Sequence, residues 1–341
     1  MFALEKLQKA QQTNRSFICL GLDLDPKKMP QDFGNSTRGM FEFARRIIEA
    51  TADQVCAYKP NLAFYEALGA EGWSLLNLLV QRVPERVPVI LDGKRNDIGN
   101  TAAQYATALF DRFKADWVTV NPYMGYDSMR PFMERKDKGV FVLCLTSNAG
   151  ARDFQMLEVE GRSLYKVVAE RVRYWNKDNN CGLVVGATHL DQLREIRDLA
   201  GDMPLLIPGV GAQGGSLDES IIAGTDNFRK LAVVNVSRSV LYASNANDFD
   251  QRARQEIVKL NAAVTRLRYG DKSAEQKNGQ TSTNNQQGSQ IGVNAANGRN
   301  GQPLAPTPGV VPDITQPEQP PEELSPDNQT RPQDQANNQT I

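Results

Sequence analysis

Two aspartates and a lysine lie close together in the stretch LDGKRNDIGNT, residues 91–101, directly after an apolar run. Alternate side chains of an extended strand share a face, so Asp92 and Lys94 are expected on one side and Gly93 on the other. Asp97 falls in the following loop, where it can approach the same lysine or point away from it. Because an ammonium between carboxylates stays charged, this lysine is poorly suited to form a Schiff base. It is better suited to stabilise a developing carbanion and then protonate it.

Eight short apolar runs, many of them β-branched, lie between residues 16 and 240, and helix-period segments such as FEFARRIIEATADQV separate most of them. The runs occupy residues 16–23, 55–60, 88–94, 117–123, 139–147, 181–188, 204–210 and 231–238. Strand and helix alternating eight times predicts an α/β protein with a (β/α)8 TIM barrel. The pattern alone leaves an open doubly wound sheet as the alternative.

Nearly every run is apolar at its start and polar at its end. The polar ends are Asp23, Lys59, Asp92 with Lys94, Asn121, Ser147, Thr188, Gln213 just past the seventh run, and Arg238. In a barrel these ends converge on one face, where active sites lie. The convergence favours a closed barrel and a functional charge cluster. A structural ion pair at a strand end is the alternative for an isolated D-x-K-x-x-D pattern, since ion-pair networks also gather charges.

The segment PGVGAQGG, residues 208–215, is rich in glycine, and Gly209, Gly211 and Gly214 fit the pattern G-x-G-x-x-G. That match is weak alone, and the next strand, LAVVNVSRS, lacks the terminal acidic residue of a dinucleotide-binding fold. As the loop after the seventh strand, the segment presents backbone N–H groups, and Arg238 after the eighth strand adds a guanidinium. These two loops predict a phosphate site, with a plain glycine-rich turn as the alternative.

Two further polar residues have less specific positions. Ser147 ends the fifth run, where it can donate a hydrogen bond to a substrate carbonyl or amide, or cap the next helix. His189 is the single histidine and lies where a helix is expected to start, so we expect a surface residue of that first turn rather than a catalyst. One histidine also excludes a multi-histidine metal centre.

The composition limits the possible partners and compartments. A formal net charge of −1 over 341 residues gives no reason to expect binding to nucleic acid or to an anionic membrane. No apolar stretch approaches the roughly 20 residues of a membrane span, and the N-terminus lacks the apolar segment of a signal peptide. Cys19, Cys56, Cys144 and Cys181 lie in apolar runs without CxxC spacing, which predicts reduced core thiols. We therefore expect a soluble, cytoplasmic protein.

The composition changes sharply after Tyr269. From residue 270 to residue 341 there is no aromatic side chain, and Asn, Gln, Pro, Ser and Thr dominate. Such a segment cannot bury enough apolar surface to order itself, so we expect a barrel domain over residues 1–270 and a disordered tail over residues 271–341. Residues 247–270 have helical periodicity and are expected to form the last ordered element. Catalysis is expected to survive deletion of residues 270–341.

Together these motifs resemble the orotidine 5′-phosphate decarboxylase family, from Asp23 to about Tyr242. The segment 92–101 matches the D-x-K-x-x-D-I-x-x-T signature of that family, PGVGAQGG its phosphate loop and SRSVLYA its terminal arginine segment. The chain departs from the family at Ser237, where a glycine commonly precedes the arginine, and in a longer linker between strands five and six. It is similar to the longer bacterial subgroup, type 2.

The resemblance implies a role for each candidate residue. Lys94 would be the proton donor, in a charged network with Lys59, Asp92 and Asp97. The remaining residues would contact substrate: Asp23 the ribose, Ser147 the pyrimidine, Gln213 and Arg238 the phosphate, together with Ile98 and Thr101. Asp97, Ile98 and Thr101 would come from a neighbouring subunit, which implies a homodimer with shared active sites.

The implied activity is decarboxylation of orotidine 5′-phosphate to UMP and CO2, the last step of de novo UMP biosynthesis, without cofactor or metal. One rival is magnesium-dependent chemistry on sugar phosphates, as in hexulose phosphate synthase relatives. Those proteins place a glutamate at the end of strand two, where this chain has Lys59. The other rivals are a non-catalytic barrel that binds a phosphate ligand and a scaffold that acts through its tail.

Overall fold

Eight parallel strands form the centre of the fold. The structure, a computed structural model, describes residues 1–210, 215–228 and 230–269. Within them the eight strands are β1 (Ile18–Gly21), β2 (Ala57–Lys59), β3 (Ile90–Arg95), β4 (Trp117–Val120), β5 (Gly139–Leu145), β8 (Cys181–Val185), β9 (Leu205–Pro208) and β10 (Ala232–Val236). They are hydrogen-bonded in the order β2-β1-β10-β9-β8-β5-β4-β3. Two further strands, β6 (Glu158–Val159) and β7 (Arg162–Ser163), form a separate antiparallel pair.

The two outer strands of this order, β2 and β3, also meet. Parallel bridges join Tyr58 to Val89 and Asn61 to Asp92, and the Asp92 N–H donates to the Pro60 carbonyl at 3.1 Å. The sheet therefore closes on itself, which confirms the predicted (β/α)8 barrel and excludes the open doubly wound alternative.

Helices follow most of the strands and cover the outside of the barrel. Within the described residues they are α1 (Ala3–Thr13), α2 (Thr37–Thr51), α3 (Leu62–Glu66), α4 (Gly69–Arg82), α5 (Gly99–Ala106), α6 (Tyr126–Met133), α7 (Ala151–Phe154), α8 (Leu164–Trp175), α9 (Leu190–Ala200), α10 (Leu217–Gly224), α11 (Arg238–Leu241) and α12 (Phe249–Tyr269). The apolar stripe of α2, with Phe43 and Ile47, shows the packing: both side chains are fully buried in the core between the helices and the sheet. None of the described helices is both long and apolar enough to cross a membrane.

A second core fills the inside of the barrel. Its side chains alternate with those that face the helices, so that Cys19 points inward between Ile18 and Leu20. Helix α1 covers the amino-terminal end of this core: Ala3 accepts a hydrogen bond from the Trp117 indole at 3.2 Å. This arrangement leaves the carboxyl ends of the strands as the open face of the barrel.

The predicted thiols and last helix agree with the structure. Cys19, Cys56, Cys144 and Cys181 are buried and free, and burial raises the pKa of Cys19 to about 12. Helix α12 covers most of the predicted segment 247–270. The expected tail, residues 271–341, lies outside the described residues.

Candidate active site

A cavity of about 470 Å3 opens at the carboxyl ends of the strands. Six of the predicted site residues line it: Asp23, Lys59, Asp92, Lys94, Ser147 and Arg238. They lie in the last part of strands, or just after strands, that are far apart in the sequence, so only barrel closure brings them together. The expected convergence is therefore confirmed for these six. Asn121, which follows β4, lines a neighbouring apolar cavity instead.

The Asp92 carboxylate lies between two ammonium groups. Its Oδ2 accepts a hydrogen bond from Lys59 Nζ at 2.6 Å, and its Oδ1 accepts one from Lys94 Nζ, also at 2.6 Å. Asp92 and Lys59 are buried, whereas 43% of the Lys94 side chain is exposed. All three line the cavity, and Lys94 is the most exposed member of the triad.

The charges of the triad determine its protonation. Burial by itself would raise the pKa of Asp92, but the ammonium groups of Lys59 and Lys94 outweigh it and hold that pKa well below the ordinary value. Burial would likewise lower the pKa of Lys59, but the negative charges of Asp92 and Asp23 raise it above the ordinary value. Asp92 and Lys59 are consequently both ionised at neutral pH.

Strand β3 is irregular where it carries these charges. Leu91 pairs with Val118 of β4, and the next pair is Arg95 with Val120. Between these pairs β3 therefore contains two more residues than β4. Lys94 has a φ of +46°, in the left-handed region, which costs a residue with a side chain about 1 kcal/mol. Asp92 and Lys94 lie on one side, as predicted, and are in contact, but a β-bulge rather than a regular pleat brings them together.

Sequence reasoning missed Thr119 of β4. Its hydroxyl donates to Asp92 Oδ1 at 2.9 Å and accepts the backbone N–H of Lys94 at 2.9 Å. A threonine at an inward position of the run WVTVNPY, with Trp117 two residues earlier inside the barrel, was the available signal.

The structure does not bring Asp97 of the same chain into the triad. Its carboxylate accepts the backbone N–H of Ile98 at 2.9 Å, and it makes no ion pair within the described part of the chain. Ile98 and Thr101 are exposed, and none of the three lines the cavity. Their predicted role requires a second subunit and stays a prediction.

The opposite side of the cavity carries the predicted ribose and phosphate residues. Asp23 follows β1, and its Oδ1 is buried without a hydrogen-bond partner among the residues described. Arg238 begins α11 at the cavity edge and is exposed. Gly209 has a φ of +99°, a conformation that favours glycine at this turn after β9. Gln213, with Gly211 and Gly214, lies outside the described residues.

Two other contacts involve the positions at which the sequence departs from the family pattern. The hydroxyl of Ser237, where a glycine was expected, donates to the Gly21 carbonyl at 3.3 Å and so joins the ends of β10 and β1. In the long linker after β5, the Gln155 side-chain amide accepts the Thr146 N–H at 2.7 Å and donates to the Thr146 hydroxyl at 2.8 Å. The linker thus binds the end of β5 at Thr146, the residue before Ser147. Sequence reasoning did not predict this contact.

His189 is the N-cap of α9, as its predicted place at a helix start requires. The residue is half-buried rather than fully on the surface, and its Nε2 is buried without a hydrogen-bond partner in the described chain. It does not line the cavity. No three His, Cys, Asp or Glu side chains of the described residues form a group that could hold a metal ion.

Known proteins share this sequence and fold. A model of the orotidine 5′-phosphate decarboxylase / HUMPS family matches residues 16–249. A Dehalococcoides mccartyi protein named orotidine 5′-phosphate decarboxylase is 49% identical over 269 residues, 78% of this chain and 98% of that protein. A Herpetosiphon aurantiacus protein of the same name is 48% identical over 254 residues, 74% of this chain and 94% of that protein.

A solved structure agrees with these relatives. The OMP decarboxylase of Leishmania donovani superposes with a TM-score of 0.68 at 41% identity, over 77% of this chain and 99% of that one. The match covers the barrel that carries the cavity and the charged triad. The chain therefore belongs to the orotidine 5′-phosphate decarboxylase / HUMPS family.

Proposed function

We propose that this protein decarboxylates orotidine 5′-phosphate to UMP and CO2, the last step of de novo UMP biosynthesis, without metal or cofactor. The observation that carries the proposal is the buried Asp92 carboxylate between two ammonium groups, all three of which line the cavity. The relatives named orotidine 5′-phosphate decarboxylase, similar over most of their length, support the same reaction.

The proposed chemistry is a proton transfer coupled to the loss of CO2. The bond between C6 of the pyrimidine and its carboxylate breaks, and the electron pair remains on C6. Lys94 stabilises that negative charge through its ammonium group and then delivers a proton from Nζ to C6. Asp92, ionised at neutral pH and itself held by Lys59, accepts a hydrogen bond from Lys94 Nζ and so keeps the donor in place.

The rest of the substrate would be bound on the other side of the cavity. Asp23 binds the ribose, Ser147 contacts the pyrimidine, and Arg238 holds the phosphate together with Gln213. Asp23 and Arg238 line the same cavity as Lys94, which supports this assignment. Contacts with the phosphate, remote from C6, can contribute binding energy to the transition state as well as to affinity.

The proposed active form is a homodimer in which Asp97, Ile98 and Thr101 complete the partner's site. In support, Ile98 is 56% exposed and Tyr123, on the loop after the adjacent strand β4, is 79% exposed. The Asn121 N–H donates to the Arg95 carbonyl at 3.0 Å, so the two loops start side by side. Exposed apolar residues that lie together are typical of a protein interface.

We also propose a cytoplasmic location, because four free, buried thiols suit a reducing compartment.

The magnesium-dependent rival fits the triad less well. Both oxygens of Asp92 already accept hydrogen bonds from ammonium groups, and Lys59 occupies the end of strand β2, where the rival would need a carboxylate. A divalent cation beside these ammonium groups would be repelled by their positive charge. Magnesium sites are also built from oxygen ligands, and the oxygens of Asp92 already bind the two lysines.

The test is the loss of orotate ultraviolet absorbance when the purified protein is mixed with orotidine 5′-phosphate in EDTA. Lys94→Ala should lower turnover by at least about a hundredfold. Lys114→Ala is the matched control: Lys114 is an exposed lysine outside the cavity with a similar φ of +57°, and its variant should keep full activity.

Three results would contradict the proposal. Loss of activity in EDTA would indicate a metal-dependent reaction, and a near-normal rate in Lys94→Ala would remove the assigned proton donor. Binding of orotidine 5′-phosphate, seen as a melting shift, without any turnover would indicate a binding protein.

A further inference from the structure

We infer that Thr119 is a positioning residue for the proton donor, through a hydroxyl that joins the Lys94 backbone to the Asp92 carboxylate. The inference rests on the proposed function, since it concerns the geometry of the same ammonium group. Thr119 does not line the cavity and so acts through its two neighbours rather than on the substrate.

The direction of the two hydrogen bonds follows from the chemistry of their partners. The Lys94 backbone N–H can only donate, so the hydroxyl oxygen of Thr119 accepts it at 2.9 Å. The ionised Asp92 carboxylate can only accept, so the single hydroxyl hydrogen points to Asp92 Oδ1 at 2.9 Å. The Thr119 hydroxyl thus acts both as an acceptor and as a donor, and a side chain that lacks either function cannot replace it.

The positions that Thr119 joins are those that the β-bulge displaces. The bulge removes Lys94 from regular pairing between β3 and β4, and its backbone is left-handed. At this break in the register the Lys94 N–H donates to the Thr119 hydroxyl. Because Asp92 Oδ1 also binds Lys94 Nζ, the same hydroxyl fixes both the start and the end of the lysine side chain.

Thr119 is itself rigidly held. It is 1% exposed, and it points into the barrel in register with Trp117, while Val118 and Val120 face the helices. A β-branched side chain in a strand has few rotamers, so the hydroxyl has a fixed position relative to β4. The bulged segment of β3 is consequently tied to a hydroxyl with a fixed position on β4.

The decisive variants are Thr119→Val, which keeps the shape and removes the hydroxyl, and Thr119→Ser, which keeps the hydroxyl. We expect Thr119→Val to lower kcat about tenfold to hundredfold, because a donor displaced by a fraction of an ångström loses its alignment. KM should change by less than about threefold, because Thr119 makes no substrate contact. Thr119→Ser should retain kcat to within about threefold.

Thr51→Val is the matched control for the loss of a buried hydroxyl. Thr51 is fully buried, donates to the Ile47 carbonyl at 2.7 Å and lies 2.7 Å from the Tyr58 hydroxyl, outside the cavity. Its variant should lower the melting temperature in the same way and leave kcat unchanged. A merely structural Thr119 would behave like Thr51, losing stability with a normal kcat, and that result would overturn the inference.

Amide hydrogen exchange separates this inference from the proposed function. The Lys94 amide should exchange at least about tenfold faster in Thr119→Val than in the wild-type protein, since its acceptor has been removed. An unchanged exchange rate would overturn the inference even if the wild type decarboxylates its substrate. A wild type without turnover would overturn the proposed function and, with it, the positioning of a proton donor by Thr119. Faster exchange of the Lys94 amide in Thr119→Val would then support the hydrogen bond alone.

Discussion

Asp92 is a charged side chain that folding buries away from water. Burial of a carboxylate is costly, and a buried ion pair usually contributes little net stability once that cost is included. Here Asp92 is shared between two lysines, so the triad with Lys59 and Lys94 has a net positive charge. That charge suits the anionic substrate and the carbanion of the proposed reaction. The arrangement is therefore explained better by chemistry than by stability.

Replacing Asp92 by Asn should destabilise the fold by about 3 kcal/mol, because it leaves the Lys59 ammonium buried without its ionic partner. The stabilisation by ionised Asp92, whose pKa is lowered by folding, is complete above about pH 3.8 and is lost as the pH falls through the lower folded value. The stabilisation by charged Lys59, whose pKa is raised by folding, is complete below about pH 10.5. It is lost as the pH rises through the higher pKa of the folded state.

The difference in unfolding free energy between the wild type and Asp92→Asn should thus be constant from roughly pH 5 to roughly pH 9 and shrink below pH 4. Urea unfolding at a series of pH values measures it. Asp111→Asn, which removes a surface partner of Arg135, is the control and should cost less than about 1 kcal/mol. A difference that changes steeply between pH 6 and pH 8 would mean that another group controls the triad.

At the scale of elements, the two ends of the barrel have different tasks. Helix α1 lies across the amino-terminal end, where Leu7 enters the inner core and Lys6 pairs with Asp116 at 2.8 Å. The carboxyl end carries the cavity and the charged triad. In such barrels the amino-terminal face serves stability and the carboxyl face catalysis, so substitutions in α1 should separate the two properties.

Leu7→Ala should lower the unfolding free energy by about 3 kcal/mol, because the 1% exposed side chain leaves a cavity in the inner core. Its kcat with orotidine 5′-phosphate should stay within about twofold of wild type at a temperature where both are folded. Thermal melting and steady-state kinetics measure the two quantities. Leu78→Ala, at a 47% exposed position of α4, is the control with little stability loss. A large fall in kcat for Leu7→Ala would show that the ends of the barrel are coupled.

For the whole molecule, the position of Asp97 is the main observation. A residue of the D-x-K-x-x-D pattern lies outside its own cavity while Asp92 and Lys94 pair inside it. Ile98 and Tyr123 are exposed, on loops that start side by side at Arg95 and Asn121. In the proposed homodimer each Asp97 segment completes the partner's cavity, and a two-fold interface repeats the same contact twice.

Shared sites predict complementation between inactive variants. Lys94→Ala and Asp97→Ala should each be inactive alone, whereas an equal mixture refolded together should recover about a quarter of wild-type activity, because half of the dimers would contain one intact site of two. Lys94→Ala mixed with Asp92→Asn is the control and should recover nothing, since those two residues belong to one chain's triad. No recovery in the first mixture would argue against shared sites.

The sequence by itself determined the eight strands, their polar ends and the four buried thiols. These features follow from local periodicity and composition, which a strand imposes over a few residues. The tertiary structure alone decided how the strands align, and with it the bulge in β3 and the position of the Thr119 hydroxyl beside Lys94. It also decided the hydrogen bond between Gln155 and the end of β5, and the position of Asp97 outside its own cavity. Register between strands and contacts between distant segments depend on the closure of the whole barrel, because each strand's position is fixed by both of its neighbours.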